Sequence, residues 1–467
     1  MISSISGKRI SLYLWLLGLL SFTSLLYVVF DSDAILFCAW IALCLVLFTN
    51  RLDFFIKYIH YLFFLSLNFI GIFAIENACF YLSELKTYSA DFDALFPAFV
   101  IHFVFLGLVL LFDDCISNKR IINKSVLFIK YHNNNIVETA TVALGVFFLA
   151  LSLYLLFNAV RHPAFASGYD RFEYAKLYIT GAWDTANKLS GWLLPIVPLL
   201  LIYKKNRFGI LSLIVYSAYL FLIGNKFGAF FNIFVLLTPY IVVRFNLKEI
   251  SQKTLLIAAA AIMGVGLLLL TILFVFHKLT YGYDLDEFLV YLGERLAQQG
   301  QMWWAVYGKC KMVPAHINEI EDELIGFWGL DQTTPDKMNY GIYKMMQLVT
   351  PYDTYASKIL SGSRYTTSTC ASIYYYTKYW GFIVVLPMAA AVLSYVVNWY
   401  WRALYNREII GTIVSWVIIG RLATIYSMSE FQMVFNLKYM IVIVFAIVID
   451  KYLAIRNSKS EYAPEGV

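Results

Sequence analysis

The sequence predicts an all-α polytopic membrane protein, with about twelve transmembrane helices and one large external loop, on three observations. Of its 467 residues 61% are apolar, 18% aromatic and only 14% charged, and the mean hydropathy is +0.69; soluble globular chains do not have this balance. The apolar residues fall in long unbroken runs, and a bilayer core of about 30 Å is crossed by roughly 20 such residues in a helix. The third observation is a polar stretch, His277 to Tyr379, lodged between two strongly apolar segments. Unpaired backbone groups are costly in lipid, so spans are helices or closed barrels, and runs of this length are helices.

The first run, residues 10–30, follows Lys8 and Arg9 and has no small-residue cleavage site behind it, so it reads as a retained anchor. Runs at 34–49, 58–79, 96–112 and 137–160 come next. Two shorter ones, 189–203 and 208–223, precede 227–243 and 254–276; after the polar stretch come 380–399, 409–426 and 431–449. The chain therefore divides into residues 1–276, with nine spans and an external loop at 161–188, then the large external loop 277–379, then 380–467, with three spans and a cytoplasmic tail.

Orientation follows from the basic residues of the connections. Lys8 with Arg9, Arg51 with Lys57, Lys204 with Lys205, Arg244 with Lys248, and Arg402 with Arg407 all fall on one side if the count is twelve, and that side is the cytoplasm. Both termini are then inside and the large loop is outside. The net charge of +6 reflects this bias, and no basic run with interleaved aromatics signals nucleic acid. The six cysteines have no CxxC spacing; Cys79, Cys310 and Cys370 reach the outer side, where a Cys310–Cys370 disulfide is an option. The six histidines have no metal-ligand spacing, so no metal centre is expected. No internal repeat supports an inverted-repeat transporter.

Within the large loop, Phe288, Tyr291, Leu292 and Leu296 recur at helical spacing and predict a helix over 284–307, its other face carrying Glu294, Arg295, Gln298 and Gln299. A second helix is predicted over 337–348, ended by Thr350-Pro351. The stretch from Ser361 begins with Gly and hydroxyl residues and becomes a tyrosine-rich helix, in which Tyr374, Tyr375, Tyr376, Tyr379 and Trp380 have the composition of an interfacial aromatic belt.

Four arginines, Arg161, Arg171, Arg295 and Arg364, face outward against the positive-inside bias. A guanidinium is a rigid fork of donors suited to phosphate oxygens; the bland alternative is pairing with headgroups or with Asp170, Glu173 or Glu294. Ser363, Thr366 and Thr367 put hydroxyls and backbone N–H groups at a helix start, an anion site or a plain N-cap. Lys226, in the turn Gly224-Asn225-Lys226-Phe227-Gly228, lies at the membrane boundary, where it binds an anion or snorkels. Arg421 and Lys438 lie inside late spans and read as structural. A proton acceptor on the outer face is available in Asp170, Glu173, Glu294, Asp353 or His277. There is no GxSxG, HExxH, P-loop or dinucleotide fingerprint, which disfavours hydrolases, zinc proteases and nucleotide-driven enzymes.

On these residues the chain resembles the Wzy-type oligosaccharide repeat-unit (O-antigen) polymerases and, more broadly, the O-antigen ligases. LIGNKFG at 222–228 is similar to the family's glycine-and-basic turn, with Lys226 where arginine is usual. GERLAQQGQMWW resembles the start of the large loop, with Arg295 as its arginine, and SGSRYTTSTCASIYYYTKYWG resembles the Ser/Thr stretch and its aromatic-glycine end. The ligase histidine motif is not evident around His316. The resemblance implies a GT-C-like architecture and a metal-independent, cofactor-free glycosyl transfer on undecaprenyl-pyrophosphate-linked oligosaccharide, with surface polysaccharide as product. It implies catalytic roles for Arg171, Arg295, Arg364 and one of Glu173, Glu294 or His277, and pyrophosphate contacts from Arg161, Lys226, Ser363, Thr366 and Thr367. A chain-length regulator and a flippase are the partners it implies. The alternatives are a ligase or other lipid-linked glycosyltransferase, and a flippase, which would carry its charges within the helices.

Overall fold

The structure, a computed structural model, describes residues 7–78, 81–116, 135–164, 167, 171–225, 227–245, 282–310, 319, 321, 340–361, 364–366 and 369–428, with isolated positions within 264–278 and 441–448. His277, Lys226, Ser363 and Thr367, and most of the expected spans at 254–276 and 431–449, lie outside the described residues, as does the side chain of Arg171.

The described chain is mostly helical. Helices α1 (Gly7–Phe30) and α2 (Asp33–Asn50) form an antiparallel pair, followed by short α3 (Leu52–Lys57), α4 (Ile59–Asn77) and α5 (Leu95–Ile116). Helix α6 (Asn135–Arg161) precedes α7 (Arg171–Tyr178), α8 (Gly181–Leu193), α9 (Ile196–Ile202), α10 (Asn206–Leu222) and α11 (Phe227–Phe245). Then come α12 (Leu285–Cys310), α13 (Gly341–Val349), α14 (Tyr352–Ser361), α15 (Thr369–Thr377), α16 (Trp380–Tyr405) and α17 (Ile409–Met428). Seven helices are long and apolar enough to cross a membrane, and α8 with α9 make an eighth when their 42° bend is counted as one broken span. Pro195, between those two, has no N–H to continue the ladder, which accounts for the break. Helices α10 and α11 are apolar but shorter. This is an all-α membrane protein.

The two ends of the bundle are chemically different. At one, Arg51 donates to both oxygens of Asp114 at 3.1 and 2.9 Å, and Tyr13 adds a third bond to the same carboxylate at 2.8 Å. Beside it Lys57 lies 2.6 Å from Asp113, which also accepts from Tyr58 and from the Asn398 amide, each at 2.8 Å. Both aspartates are 2% exposed. Such burial is tolerable only when every charge is paired and hydrogen-bonded. The network therefore ties α1, the α2–α3 junction, α3, α5 and α16 together at what we call the basic end.

At the other, the loop end, α12 packs against α4 with no side chain between them. A Cβ on Gly71 would lie 2.5 Å from the Leu296 carbonyl oxygen, and one on Gly300 would lie 2.3 Å from the Ile72 nitrogen. Only two glycines permit that approach. Asn68 fixes the crossing by donating to the Gln299 carbonyl at 2.7 Å, while the indoles of Trp303 and Trp304 donate to the Ala94 and Ala90 carbonyls at 2.9 and 2.8 Å. The helix expected at 284–307 thus extends over Leu285–Cys310, with its C-terminal half buried in the bundle. The helix expected at 337–348 is Gly341–Val349, ended before Pro351.

Two expectations need correction. Cys310 and Cys370 are free thiols and form no disulfide. Tyr374 and Tyr375 are 3% exposed and pack in the core, so only Tyr379 and Trp380, at 50% and 78%, have the exposure of an interfacial belt.

Candidate functional site

Helix α12 carries a polar row toward the segment before α15. Arg295 donates from Nε to the Tyr291 hydroxyl at 3.1 Å and from Nη1 to Gln298 Oε1 at 2.9 Å, and its guanidinium lies 5.2 Å from the centre of the Tyr291 ring. One face of that fork is held by its own helix and the side chain remains exposed. One turn on, Gln299 accepts a hydrogen bond from Thr366 Oγ1 at 3.3 Å and donates to the Arg295 carbonyl at 3.4 Å. Two positions before Thr366, the exposed Arg364 lies 5.3 Å over the ring of Tyr343 on α13. Burial pushes the Tyr343 hydroxyl above its ordinary value, and the neighbouring Arg364 opposes that rise. Arg295, Thr366 and Arg364 are therefore carried on segments that meet, through Gln299 and through the packing of α12 on α13.

Glu84, in the loop between α4 and α5, holds these segments together. Its carboxylate accepts from Lys358 of α14 at 2.8 Å and from the Gln301 amide of α12, and its carbonyl accepts from the Tyr365 hydroxyl at 2.8 Å. Burial raises the Tyr365 hydroxyl well above the usual tyrosine value, with the Glu84 charge adding to the rise. Sequence reasoning missed Glu84 because its partners lie 217 to 281 residues further along the chain and no local pattern reports them. Glu294, next to Arg295 on α12, is half-buried.

The remaining predicted residues sit on other helices. Arg161, in the last turn of α6, stacks 4.0 Å over its own neighbour Phe157. Arg171 opens α7 and Glu173 lies exposed in its first turn. Helix α7 is held to the end of α6 by the Tyr174 hydroxyl, which donates to the His162 carbonyl at 2.6 Å. Helix α6 packs with α8, α9 and α10, whereas α12 packs with α4, α13 and α15. The four arginines thus belong to two groups, Arg161 with Arg171 and Arg295 with Arg364.

Next to the row α4, α5, α15, α16 and α17 line a partly open cavity of about 80 Å³. Its wall is almost wholly apolar, with Phe64, Ile101, Phe105, Leu386, Ala389 and Tyr426 among the lining residues. Asn68 also lines it, and Asn68 is the residue whose amide reaches Gln299. The arrangement is thus a lipophilic chamber with a cationic, hydroxyl-bearing row joined to its wall. A short apolar segment in the cavity and an anion against Arg295 are compatible demands of one amphiphile. Among the described residues no group of three His, Cys, Asp or Glu is placed to hold a metal ion.

A family model described as a family of unknown function, DUF6418, matches residues 335–443. That match takes in α13 to α17, with Arg364 and Thr366, and stops short of Arg295. No curated protein and no solved structure matches the chain.

Proposed function

We propose that this protein is a polyprenyl-pyrophosphate-dependent glycosyltransferase that joins oligosaccharide repeat units at the outer face of the plasma membrane, in the manner of an oligosaccharide polymerase. The observation that carries the reading is the row in which Gln299 bonds the Arg295 carbonyl and Thr366, with Asn68, a residue of the apolar cavity's wall, bonded to the Gln299 carbonyl. A lipid-linked pyrophosphate sugar needs those two environments side by side. The twelve-span topology, with both termini cytoplasmic and residues 277–379 outside, belongs to the same proposal and rests on the charge bias of the connections.

In the reaction an acceptor sugar hydroxyl attacks the anomeric carbon of the donor, the bond from that carbon to the pyrophosphate oxygen breaks, and the pyrophosphate leaves on its lipid. Negative charge grows on the departing oxygens. Cations and hydroxyls aimed there stabilise the transition state more than the ground state. Arg295 and Arg364 would take that role, with Thr366 as a neutral donor, and the acceptor proton would pass to a carboxylate, for which Glu294 is the candidate beside Arg295. The exposed fork of Arg295, anchored on one face by Tyr291 and Gln298, is pre-organised for this task.

The test is complementation of a strain that lacks its own repeat-unit polymerase for the matching glycan, with surface glycan resolved on a gel. The wild-type gene should restore a ladder. Arg295→Ala and Arg364→Ala should each lower the yield of polymer on the order of 10²-fold, the cost typical of a lost transition-state donor, at unchanged protein level. A full ladder from both variants removes the site assignment.

A further inference from the structure

Helix α5 carries a histidine deep in an apolar setting. His102 is 3% exposed, and its Nδ1 has no hydrogen-bond partner among the described residues. Its ring centre lies 6.0 Å from that of Trp40, and the residue lines the cavity between α4, α5, α15, α16 and α17. A buried polar atom left unpaired costs about 1–3 kcal/mol, so an orphan of this kind asks for an occupant of the cavity. The other polar groups of the wall are committed to backbone carbonyls. The Tyr61 hydroxyl donates to Ile419 at 3.4 Å, Tyr426 to Ala389 at 2.7 Å, Thr369 to Ile425, and the Asn68 amide to Gln299 at 2.7 Å. An ordered water needs roughly two to four polar partners. Among the described residues of the wall, only His102 and the weakly polar Cys370 thiol are left to supply them.

We infer that the cavity is a binding site for a neutral, hydroxyl-bearing hydrocarbon whose hydroxyl bonds to His102 Nδ1. Each part of that description follows from the wall. None of the described lining residues is Asp, Glu, Lys or Arg, so a charged ligand would lie there without a counter-charge. Tyr61, Phe105 and Tyr426 meet as an aromatic face, with the Tyr426 ring 5.6 Å from each of the other two, which suits a flat apolar body. A hydroxyl both donates and accepts, so it serves Nδ1 in either tautomer, whereas a carbonyl serves only the protonated nitrogen. The cavity of about 80 Å³ is near half of the ~150 Å³ that encloses a benzene molecule. Part of a six-membered ring is therefore enclosed and the remainder sits in the opening. Within the proposed reaction such a molecule would compete with the apolar segment of the donor, but its binding needs no transfer to occur.

The experiment uses the full chain in detergent micelles with labelled isoleucine methyl groups, since Ile101 and Ile373 both line the cavity. The probes are phenol and benzene, which differ by the hydroxyl alone, and binding is read from the shifts of those two methyl signals by NMR. In the wild type both probes should move them. His102→Phe, which keeps a ring of similar size, should weaken phenol about three- to tenfold, the weight of one hydrogen bond, and leave benzene nearly unchanged. His102→Gln keeps a hydrogen-bonding group and should retain the preference for phenol. Ala423→Leu, which fills the cavity from α17 and leaves His102 in place, should weaken both probes. Methyl signals that no probe moves in the wild type, equal phenol affinity in wild type and His102→Phe, or unweakened binding in Ala423→Leu each overturns the inference. Failed complementation would remove the transfer reading and leave this one standing, and a working polymerase that binds no phenol gives the reverse.

Discussion

At the scale of single residues, the site's most informative groups are those whose environment departs from an ordinary surface. Tyr343 and Tyr365 are both held above the usual tyrosine value by burial. A folded value above the unfolded one means that the fold prefers the neutral phenol. That contribution is whole below pH of about 10, where an unfolded tyrosine starts to ionise, and is lost as pH rises through the folded values. Unfolding of the purified protein, followed by tryptophan fluorescence between neutral pH and strong alkali, should therefore show a stability plateau that falls above about pH 10, with the share of phenolate absorbance that belongs to buried tyrosines appearing only on unfolding. Phenolate absorbance that titrates fully in the folded protein near the ordinary value would contradict the burial of these hydroxyls. Glu84 is the complementary case. Its carboxylate satisfies Lys358 and Gln301 together, so Glu84→Ala leaves two polar partners short at once, while Glu84→Gln keeps the shape and loses the ion pair.

At the scale of elements, the α4–α12 crossing shows what the sequence could and could not convey. The period of Phe288, Tyr291, Leu292 and Leu296 was enough to announce a helix, and the observed Leu285–Cys310 agrees with it. The burial of its second half was not legible, because Gly71 and Gly300 are ordinary small residues in sequence and become a backbone-to-backbone contact only when the two helices cross. The same holds at the basic end. Arg51 and Lys57 were legible as positive-inside residues, but Asp113 and Asp114 lie more than fifty positions away and register as partners only in three dimensions. Two outcomes follow. Gly300→Val forces the helices apart and should lower stability by roughly 1–3 kcal/mol or more, the range for overpacking, seen as a lower melting temperature in detergent. Asp114→Ala removes the bidentate partner of Arg51 and leaves it Asp53 at 3.3 Å and Asp113 at 4.0 Å, so it should cost less than the ~3–5 kcal/mol of a fully orphaned buried charge; a melting temperature equal to wild type would show that the pair is open to water.

At the scale of the whole molecule, composition and run length made the class of fold legible, and the seven long apolar helices with the broken α8–α9 pair agree with it. The bend at Pro195 is the physical reason that the run expected at 189–203 is a pair of short helices. The site was legible only in part. Residue type and expected outward position singled out Arg295, Arg364 and Thr366, whose segments are joined through Gln299 and the packing of α12 on α13, yet they also singled out Arg161, whose helix α6 packs with a different set, and Arg171 on the following α7. Hydropathy has no means of telling which of the polar segments pack against the same helices. Cysteine labelling at position 361 in intact cells checks the topology, with modification from outside expected and labelling only after permeabilisation contrary to it.

The proposed transfer of lipid-pyrophosphate-linked units is tested most directly by deletion of the gene in its own host with surface glycan resolved on a gel. The deletion strain should collapse to a single repeat unit, with the ladder restored by the wild-type gene and not by Arg295→Ala. A full-length ladder in the deletion strain would contradict it.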